Sequence, residues 1–289
     1  LLKVNVFNRV LNNPIVVASG ILPPVTKLMR DVCRKYAPGG ITTKSMTIEP
    51  LQPHQPPTLL QYDHDTYINA IGLGNPGIKT LNKIGCFTIV SIAGNSVDNI
   101  TLTAREAERI GDAIEINVSS PNRAGYGESL SSHVSKIVKE IKGLVTVPVL
   151  VKLGPWENIV DISGKALSAG ADGLTLTNTI KGMIIDVHSM KPILSYKTGG
   201  ISGRALHPIA VRAVYEVYKE YQPVIIGTGG VISWEDAVEF MLAGATLVGI
   251  GSGIISKGFD VIRKVNQGIE EYLESKGLKL KDLIGYIVR

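Results

Sequence analysis

The sequence predicts one (β/α)₈ TIM barrel with an N-terminal hairpin, and three observations carry that expectation. Eight short apolar runs each give way to a stretch with helical spacing. Runs such as Val224-Ile225-Ile226 lack alternation, which marks strands covered on both faces. The length of 289 residues is that of one such barrel. Eight strand–helix units favour a closed barrel over an open doubly wound sheet.

Taken in order, Val4-Asn5-Val6 and Arg9-Val10-Leu11 read as a hairpin placed to plug the barrel bottom. Strands are expected at residues 14–20, 40–46, 87–94, 113–120, 147–154, 173–178, 224–230 and 246–252. Helices are expected at 25–37, 97–110, 133–144, 160–169, 208–221, 234–243 and 260–275, with a short one at 78–83 after the second strand. Ser233 before Trp234-Glu235-Asp236 is an N-cap with acids in the first turn. Gly170, after Ala169, is the glycine expected just past a helix end. Two long connections interrupt the rhythm. One follows the second strand and carries Pro50, Pro53, Pro56 and Pro57; the other runs from Thr179 to Leu206. Such connections at carboxyl ends of barrel strands are where this fold builds sites. No linker or low-complexity tract divides the chain, so residues 1–289 are expected to form a single domain.

The composition excludes several classes. With 44% apolar and 19% charged residues the chain is an ordinary globule. The net charge of +5 suits an anionic ligand but is too diffuse for nucleic acid. No run of about 18 apolar residues exists, so no membrane insertion is expected. Cys33 and Cys86 are too few for an iron–sulfur cluster, which takes about four thiolates. They are expected reduced and buried as small apolar residues, in a cytoplasmic protein.

Polar residues recur at the strand ends: Ser19, Lys44 and Ser45, Ser91, then Asn117, Ser119 and Ser120, Lys152, and Asn178. One such residue is usually just solvated; their recurrence around the ring points to a site. The turns Gly227-Thr228-Gly229-Gly230 and Gly249-Ile250-Gly251-Ser252-Gly253 expose backbone N–H groups where barrels commonly hold a phosphate. Asn69, Asn117, Asn122 and Asn178 offer amides suited to a ring edged with alternating C=O and N–H groups, as a pyrimidine is. Lys44 and Lys152 add charge for a carboxylate or an electron-rich ring. The match to G-x-G-x-x-G over Gly72-Leu73-Gly74-Asn75-Pro76-Gly77 follows a proline-rich loop and not a strand, so a dinucleotide site is not expected. The histidines show no metal-ligand spacing, and no metal is expected.

At Ala18-Ser19-Gly20, Thr43-Lys44-Ser45, Asn69-Ala70-Ile71-Gly72-Leu73, Asn117-Val118-Ser119-Ser120-Pro121-Asn122 and Asn178-Thr179-Ile180-Lys181-Gly182-Met183 the chain resembles the dihydroorotate dehydrogenases. Lys197-Thr198-Gly199-Gly200-Ile201-Ser202-Gly203 and Gly227-Thr228-Gly229-Gly230 extend the resemblance over nearly the whole chain. It implies FMN-dependent oxidation of dihydroorotate to orotate in de novo pyrimidine (UMP) biosynthesis. The FMN phosphate would lie on Gly229, Gly230, Gly251 and Ser252, with Gly203 nearby. Ser19, Lys44, Ser45, Ser91, Asn117, Lys152 and Thr177 would line the rest of the flavin. Substrate would meet Lys44, Asn69, Ala70, Ile71, Gly72, Leu73, Asn117, Asn122, Asn178 and Thr179. Ser120 would be the catalytic base, taking a proton from C5 while hydride leaves C6 for the flavin.

The alternation of a strand puts Ser119 and Ser120 on opposite faces and by itself favours neither. The resemblance is nearest to the subgroup whose catalytic subunit joins an iron–sulfur flavoprotein and passes electrons to NAD, which implies a hetero-oligomer. Soluble members usually carry Cys at position 120 and membrane-attached members carry Ser, so this chain mixes the two patterns and leaves the acceptor open. Residues 121–129, with Gly125 and Gly127, follow the base and are expected to hinge over substrate. Two rivals stand beside this reading. One is another FMN barrel acting on a dihydropyrimidine or dihydrouridine, although such enzymes typically use a Cys that neither Cys33 nor Cys86 supplies. The other is a non-catalytic barrel that binds a phosphate ligand.

Overall fold

Eight parallel strands close into a barrel in chain order: β1 (Ile15–Val17), β2 (Gly40–Thr42), β3 (Thr88–Ile92), β4 (Ala113–Asn117), β5 (Val149–Leu153), β6 (Gly173–Leu176), β7 (Val224–Thr228) and β8 (Leu247–Ile250). The ring closes where Ile250 of β8 pairs with Val17 of β1. The computed structural model describes the backbone of residues 1–289 and every side chain but that of Glu128. All residues of β3, β4, β5 and β6 are buried, as strands sandwiched between a filled interior and a helical layer must be. The expected strands are longer than the observed ones because their last residues leave the ladder and turn into the site.

The outer layer is α1 (Thr26–Tyr36), α2 (Val97–Glu108), α3 (Val134–Lys142), α4 (Ile159–Ser168), α5 (His207–Tyr221), α6 (Trp234–Ala243), α7 (Ser252–Lys257) and α8 (Asp260–Lys276). On α3 the buried set Val134, Ile137, Val138 and Ile141 is one helical stripe facing the strands. The Ser233 N–H donates to Asp236 Oδ2 at 2.9 Å, so the start of α6 is capped as its sequence indicates. Gly170, at φ +106°, ends α4 with its N–H on Leu167 O. The hairpin pairs Val4–Val6 with Arg9–Leu11 and buries Val4, Val6 and Leu11. Its Phe7 ring lies beside Gly173, the first residue of β6, so the hairpin does sit at the amino end of the barrel.

Three features depart from expectation. Between β2 and β3 there is no α-helix: the helix expected at 78–83 is only the three-residue 3₁₀ turn Ile78–Thr80, ended where Leu81 turns to extended backbone. The two long connections are not loops. They supply Leu59–Asp63, Thr66–Asn69, Thr198–Gly203 and Ile180–Met183, which form one antiparallel four-stranded sheet. Gly199 and Gly200 in the third of these erase any alternation there, which hid the strand. Last, Cys33 and Cys86 are not separate thiols. They form a disulfide across 53 residues of sequence, with Cα atoms 6.2 Å apart. Both are only partly buried, against the expected burial. Adjacent β2 and β3 bring the flank of α1 to the approach of β3, a proximity invisible to spacing. Cysteines joined in a disulfide no longer support the expected cytoplasmic setting. Among the described residues no helix is long and apolar enough to cross a membrane.

Candidate active site

A cavity of about 330 Å³ opens at the carboxyl ends of the barrel strands. Every strand but β3 contributes: Ser19 after β1, Lys44 and Ser45 after β2, Asn117 and Ser120 on and after β4, Lys152 on β5, Thr177 and Asn178 after β6, Gly229 and Gly230 after β7, and Gly251 and Ser252 after β8. From above, the four-stranded sheet adds Asn69 and Gly203 and its flanks add Ile71, Gly72, Leu73 and Thr179. Asn122 completes the ring of four asparagines that the sequence picks out. Two expected residues do not reach the cavity. Ser91 is fully buried below it, and Ala70 is packed under the sheet with Ile68 and Leu194.

Below the cavity lies a directed chain of hydrogen bonds that starts at Glu115, a carboxylate only 1% exposed in the middle of β4. Glu115 accepts from the Ser91 hydroxyl and the Thr175 hydroxyl, each at 2.8 Å. With its proton given to Glu115, Ser91 Oγ must accept from Ser45 Oγ–H at 2.9 Å, and Ser45 Oγ in turn accepts from Asn117 Nδ2 at 2.9 Å. That fixes the amide of Asn117, whose Oδ1 then accepts from Ser119 N–H and Oγ–H, both at 3.2 Å, and from Asn178 Nδ2 at 3.3 Å. Asn178 Nδ2 also donates to Ser119 Oγ at 3.0 Å. Ser119 is thus saturated and absent from the cavity wall, whereas Ser120 lines it, with no partner for its hydroxyl among the described residues. The ladder of β4 stops at Asn117, so the turn that follows, and not alternation, decides which serine meets the cavity.

Two further observations mark a ligand site. Thr177 Oγ1 and Thr228 Oγ1 are buried without a partner, and both residues line the cavity. An unpaired buried hydroxyl is costly, so a polar ligand group that completes these two is favoured. Burial also pushes the Lys44 ammonium below the usual lysine range; an anion bound beside it would favour its charged form.

The segment after Ser120 is clasped over this cavity. Asn122 Nδ2 donates to Asn69 O at 3.0 Å, and Arg123 Nε donates to Gly72 O at 2.7 Å while its Nη2 reaches Gln52 O. His54 packs its ring against Gly72 and stacks on Tyr196, with centroids 4.2 Å apart. Burial first, and then the Arg123 charge, hold the His54 imidazole below its ordinary range.

Residues 1–273 match the family model of dihydroorotate dehydrogenase. The chain belongs to the dihydroorotate dehydrogenase family. Its members are flavin-dependent oxidoreductases. It is 54% identical over 280 residues to dihydroorotate dehydrogenase B (NAD⁺), catalytic subunit, of Sulfolobus acidocaldarius, with 96% of each chain covered. The protein of the same name from Saccharolobus solfataricus is 51% identical over 288 residues, 99% of each chain. A crystal structure of DHODH from Eimeria tenella in complex with ferulenol superposes with a TM-score of 0.85 over 100% of this chain and 89% of that one; at 24% identity it bears on the fold.

In this dihydroorotate dehydrogenase family member, sequence reasoning missed Glu115, Arg123, Arg204, His207 and the side chain of Thr228. Glu115 carried a readable signal, since it shares a strand face with Asn117. Arg123 makes a test possible. Arg123→Ala removes two hydrogen bonds from a charged group, so cleavage of residues 121–133 by a nonspecific protease is expected to rise about tenfold or more. Part of the lowering of the His54 pKa comes from the Arg123 charge, so a form with Arg123 released binds more protons there. The closed form is therefore fully favoured above about pH 6.5 and loses ground as pH falls through the lowered pKa. Cleavage of the unaltered protein should accordingly speed up on acidification; a rate insensitive to both pH and Arg123 would remove the clasp.

Proposed function

We infer that this chain oxidises dihydroorotate to orotate, the redox step of pyrimidine synthesis, with FMN as its cofactor and residues 1–289 acting as one catalytic unit. The observation that carries the reading is a free serine hydroxyl beside four asparagine amides in a cavity with two unpaired threonine hydroxyls. The residues fit a flavin mononucleotide. Gly230 has φ +67°, and a Cβ there would lie 2.5 Å from Gly203 O, so only bare backbone fits this turn. Gly229, Gly230, Gly251 and Ser252 would hold the phosphate, and Ser19, Lys44, Ser45, Asn117, Lys152 and Thr177 the remainder, with Ser91 acting from below through Ser45. When bound, FMN supplies the acceptor for hydride leaving C6.

Ser120 Oγ takes the proton from C5 and releases its own to water, since an intact hydroxyl is a poor base. Asn69, which keeps one amide N–H free, donates to a ring carbonyl, and the amide oxygens of Asn122 and Asn178, whose N–H groups are spent within the protein, accept from the ring N–H groups. Lys44 balances the carboxylate. The clasped segment excludes bulk solvent during the transfer and leaves Ser120 the water that takes its proton. The test is spectroscopic: the protein as purified should be yellow, release FMN and not FAD on denaturation, and bleach with dihydroorotate but not with dihydrouracil or dihydrouridine. FAD, or bleaching by dihydrouracil alone, would replace the reading.

The electron acceptor is a separate matter. We propose that a distinct iron–sulfur subunit carries electrons to NAD⁺, in keeping with the names of the relatives. The segment Gly72–Gly77 leads from an antiparallel strand into the turn Ile78–Thr80, which is no dinucleotide fold. After reduction by dihydroorotate, NAD⁺ is therefore expected to leave the flavin of this polypeptide reduced over many turnover times. Rapid reoxidation by NAD⁺ would remove the partner, and rapid reoxidation by fumarate or a quinone would name a different acceptor.

A further inference from the structure

Behind the Gly229–Gly230 turn both carbonyls are tied to basic side chains. His207, the first residue of α5, is 4% exposed and has Nδ1 2.7 Å from Gly229 O. Its Nε2 lies 2.8 Å from Glu239 Oε2 and 3.7 Å from Asp236 Oδ1. Arg204 Nη1 reaches Gly230 O at 3.4 Å and also pairs with Asp236. In a planar trans peptide the carbonyl and the following N–H point opposite ways. Holding Gly229 O and Gly230 O back therefore turns the N–H groups of Gly230 and Val231 away from α5, on the side where both glycines line the cavity.

Both ring nitrogens of His207 face oxygens that only accept. A neutral imidazole carries one N–H and can satisfy one of them; the two contacts are hydrogen bonds together only when each nitrogen holds a proton. The charged groups around the ring are few. Asp236 and Glu239 come from α6, Arg204 comes from the turn before α5, the glycine turn offers backbone alone, and Phe240 meets the ring edge-on at 5.2 Å. His207, Asp236 and Glu239 bring ligand atoms within 4.8 Å of one another, a spacing open to a metal. Asp236, however, already accepts from the N–H groups of Ile232 and Ser233 and from Arg204. Burial works to raise its carboxyl, but Ile232 N–H, Arg204 and the His207 charge outweigh that and hold it below the ordinary range. These side chains are spent on one another and on the turn, so the cluster is no free donor set for a metal.

We propose that His207, with Arg204 beside it, is a positioning residue that shapes the Gly229–Gly230 turn to receive a phosphate monoester. The proposal rests on the FMN reading and deepens it: the hold of His207 and Arg204 on the two glycine carbonyls sets how tightly the phosphate end of the cofactor is held. It touches no reacting atom, and its effect is confined to ligands that carry the phosphate.

The experiment compares FMN with riboflavin, which lacks the phosphate, by fluorescence titration of the flavin-stripped full-length protein. His207→Phe keeps an aromatic ring against Phe240 but removes both N–H groups. It is expected to weaken FMN roughly tenfold, the scale of one charged hydrogen bond, and to leave riboflavin affinity unchanged. His207→Asn, which returns a donor near the Nδ1 position, should recover part of the loss. Equal losses for FMN and riboflavin, or no loss in His207→Phe, would each overturn the proposal. Unaltered protein that binds riboflavin as tightly as FMN would instead overturn the FMN reading, whatever His207 does.

Discussion

Replacing Ser120 with alanine is expected to slow flavin reduction by dihydroorotate about 10²–10⁴-fold, the range for loss of a general base, with FMN still bound. The cofactor contacts named above do not involve its hydroxyl, so the effect should fall on kcat and spare FMN affinity. Ser119→Ala provides the contrast. Its hydroxyl is spent on Asn117 and Asn178, so its loss loosens those amides without removing a proton acceptor. It should raise KM for dihydroorotate more than it lowers kcat. Ser120→Cys should retain activity and move its pH dependence toward lower pH, because a thiol, near pH 8.5, ionises far more readily than a hydroxyl. Measured by stopped-flow flavin bleaching, a crippled Ser119→Ala beside a healthy Ser120→Ala would reverse the assignment.

That contrast depends on the direction of hydrogen bonds beneath the cavity, and Glu115 sets that direction. A carboxylate can only accept, so each hydroxyl and amide above it has one orientation left. A carboxylate in the interior of a barrel is costly unless its oxygens are bonded, and both are. The apolar sequence pattern pointed to the strand, and Glu115, a polar residue inside it, was passed over.

The barrel was legible because it follows from local pattern: apolar runs, helical stripes, caps at Ser233 and a glycine at 170. The strand-end residues were legible because the fold brings carboxyl ends together whatever lies between them. What spacing could not carry was contact between distant segments. The Cys33–Cys86 bond, the antiparallel sheet built from two connections, and the hold of Arg123 on Gly72 each join residues about 50 or more apart that no short window contains. His207, read with the other histidines only as lacking metal-ligand spacing, was passed over for the same reason. Its partners Gly229 and Glu239 come from the next two elements of the barrel, and only closure of the ring presses them on the imidazole. Ser91 failed in the other direction: a polar strand-end residue was taken for a lining residue, but it lies one layer down and reaches the cavity through Ser45.

The clasp also bears directly on the base. Gly127 has φ +56°, and a Cβ built on it would stand 2.6 Å from both N and O of Ser120 and 2.8 Å from its Cβ. Gly127→Ala therefore combines two penalties, a left-handed backbone that costs alanine about 1–2 kcal/mol and a contact that backbone cannot yield to without moving. Gly125 separates the two. It has φ +76° but open space where its Cβ would go, so Gly125→Ala has the conformational penalty alone. Displacing a reacting group by about 1 Å can cost 10²-fold in rate. Gly127→Ala is accordingly expected to slow flavin reduction by roughly 10–10²-fold, and Gly125→Ala by no more than about threefold. FMN affinity should hold in both, because the phosphate turns follow β7 and β8 and the clasp follows β4. The deciding measurement is the single-turnover bleaching rate of each variant at saturating dihydroorotate. Equal rates for the two variants would mean that Gly127 matters for its backbone only, and that the clasp does not press on Ser120.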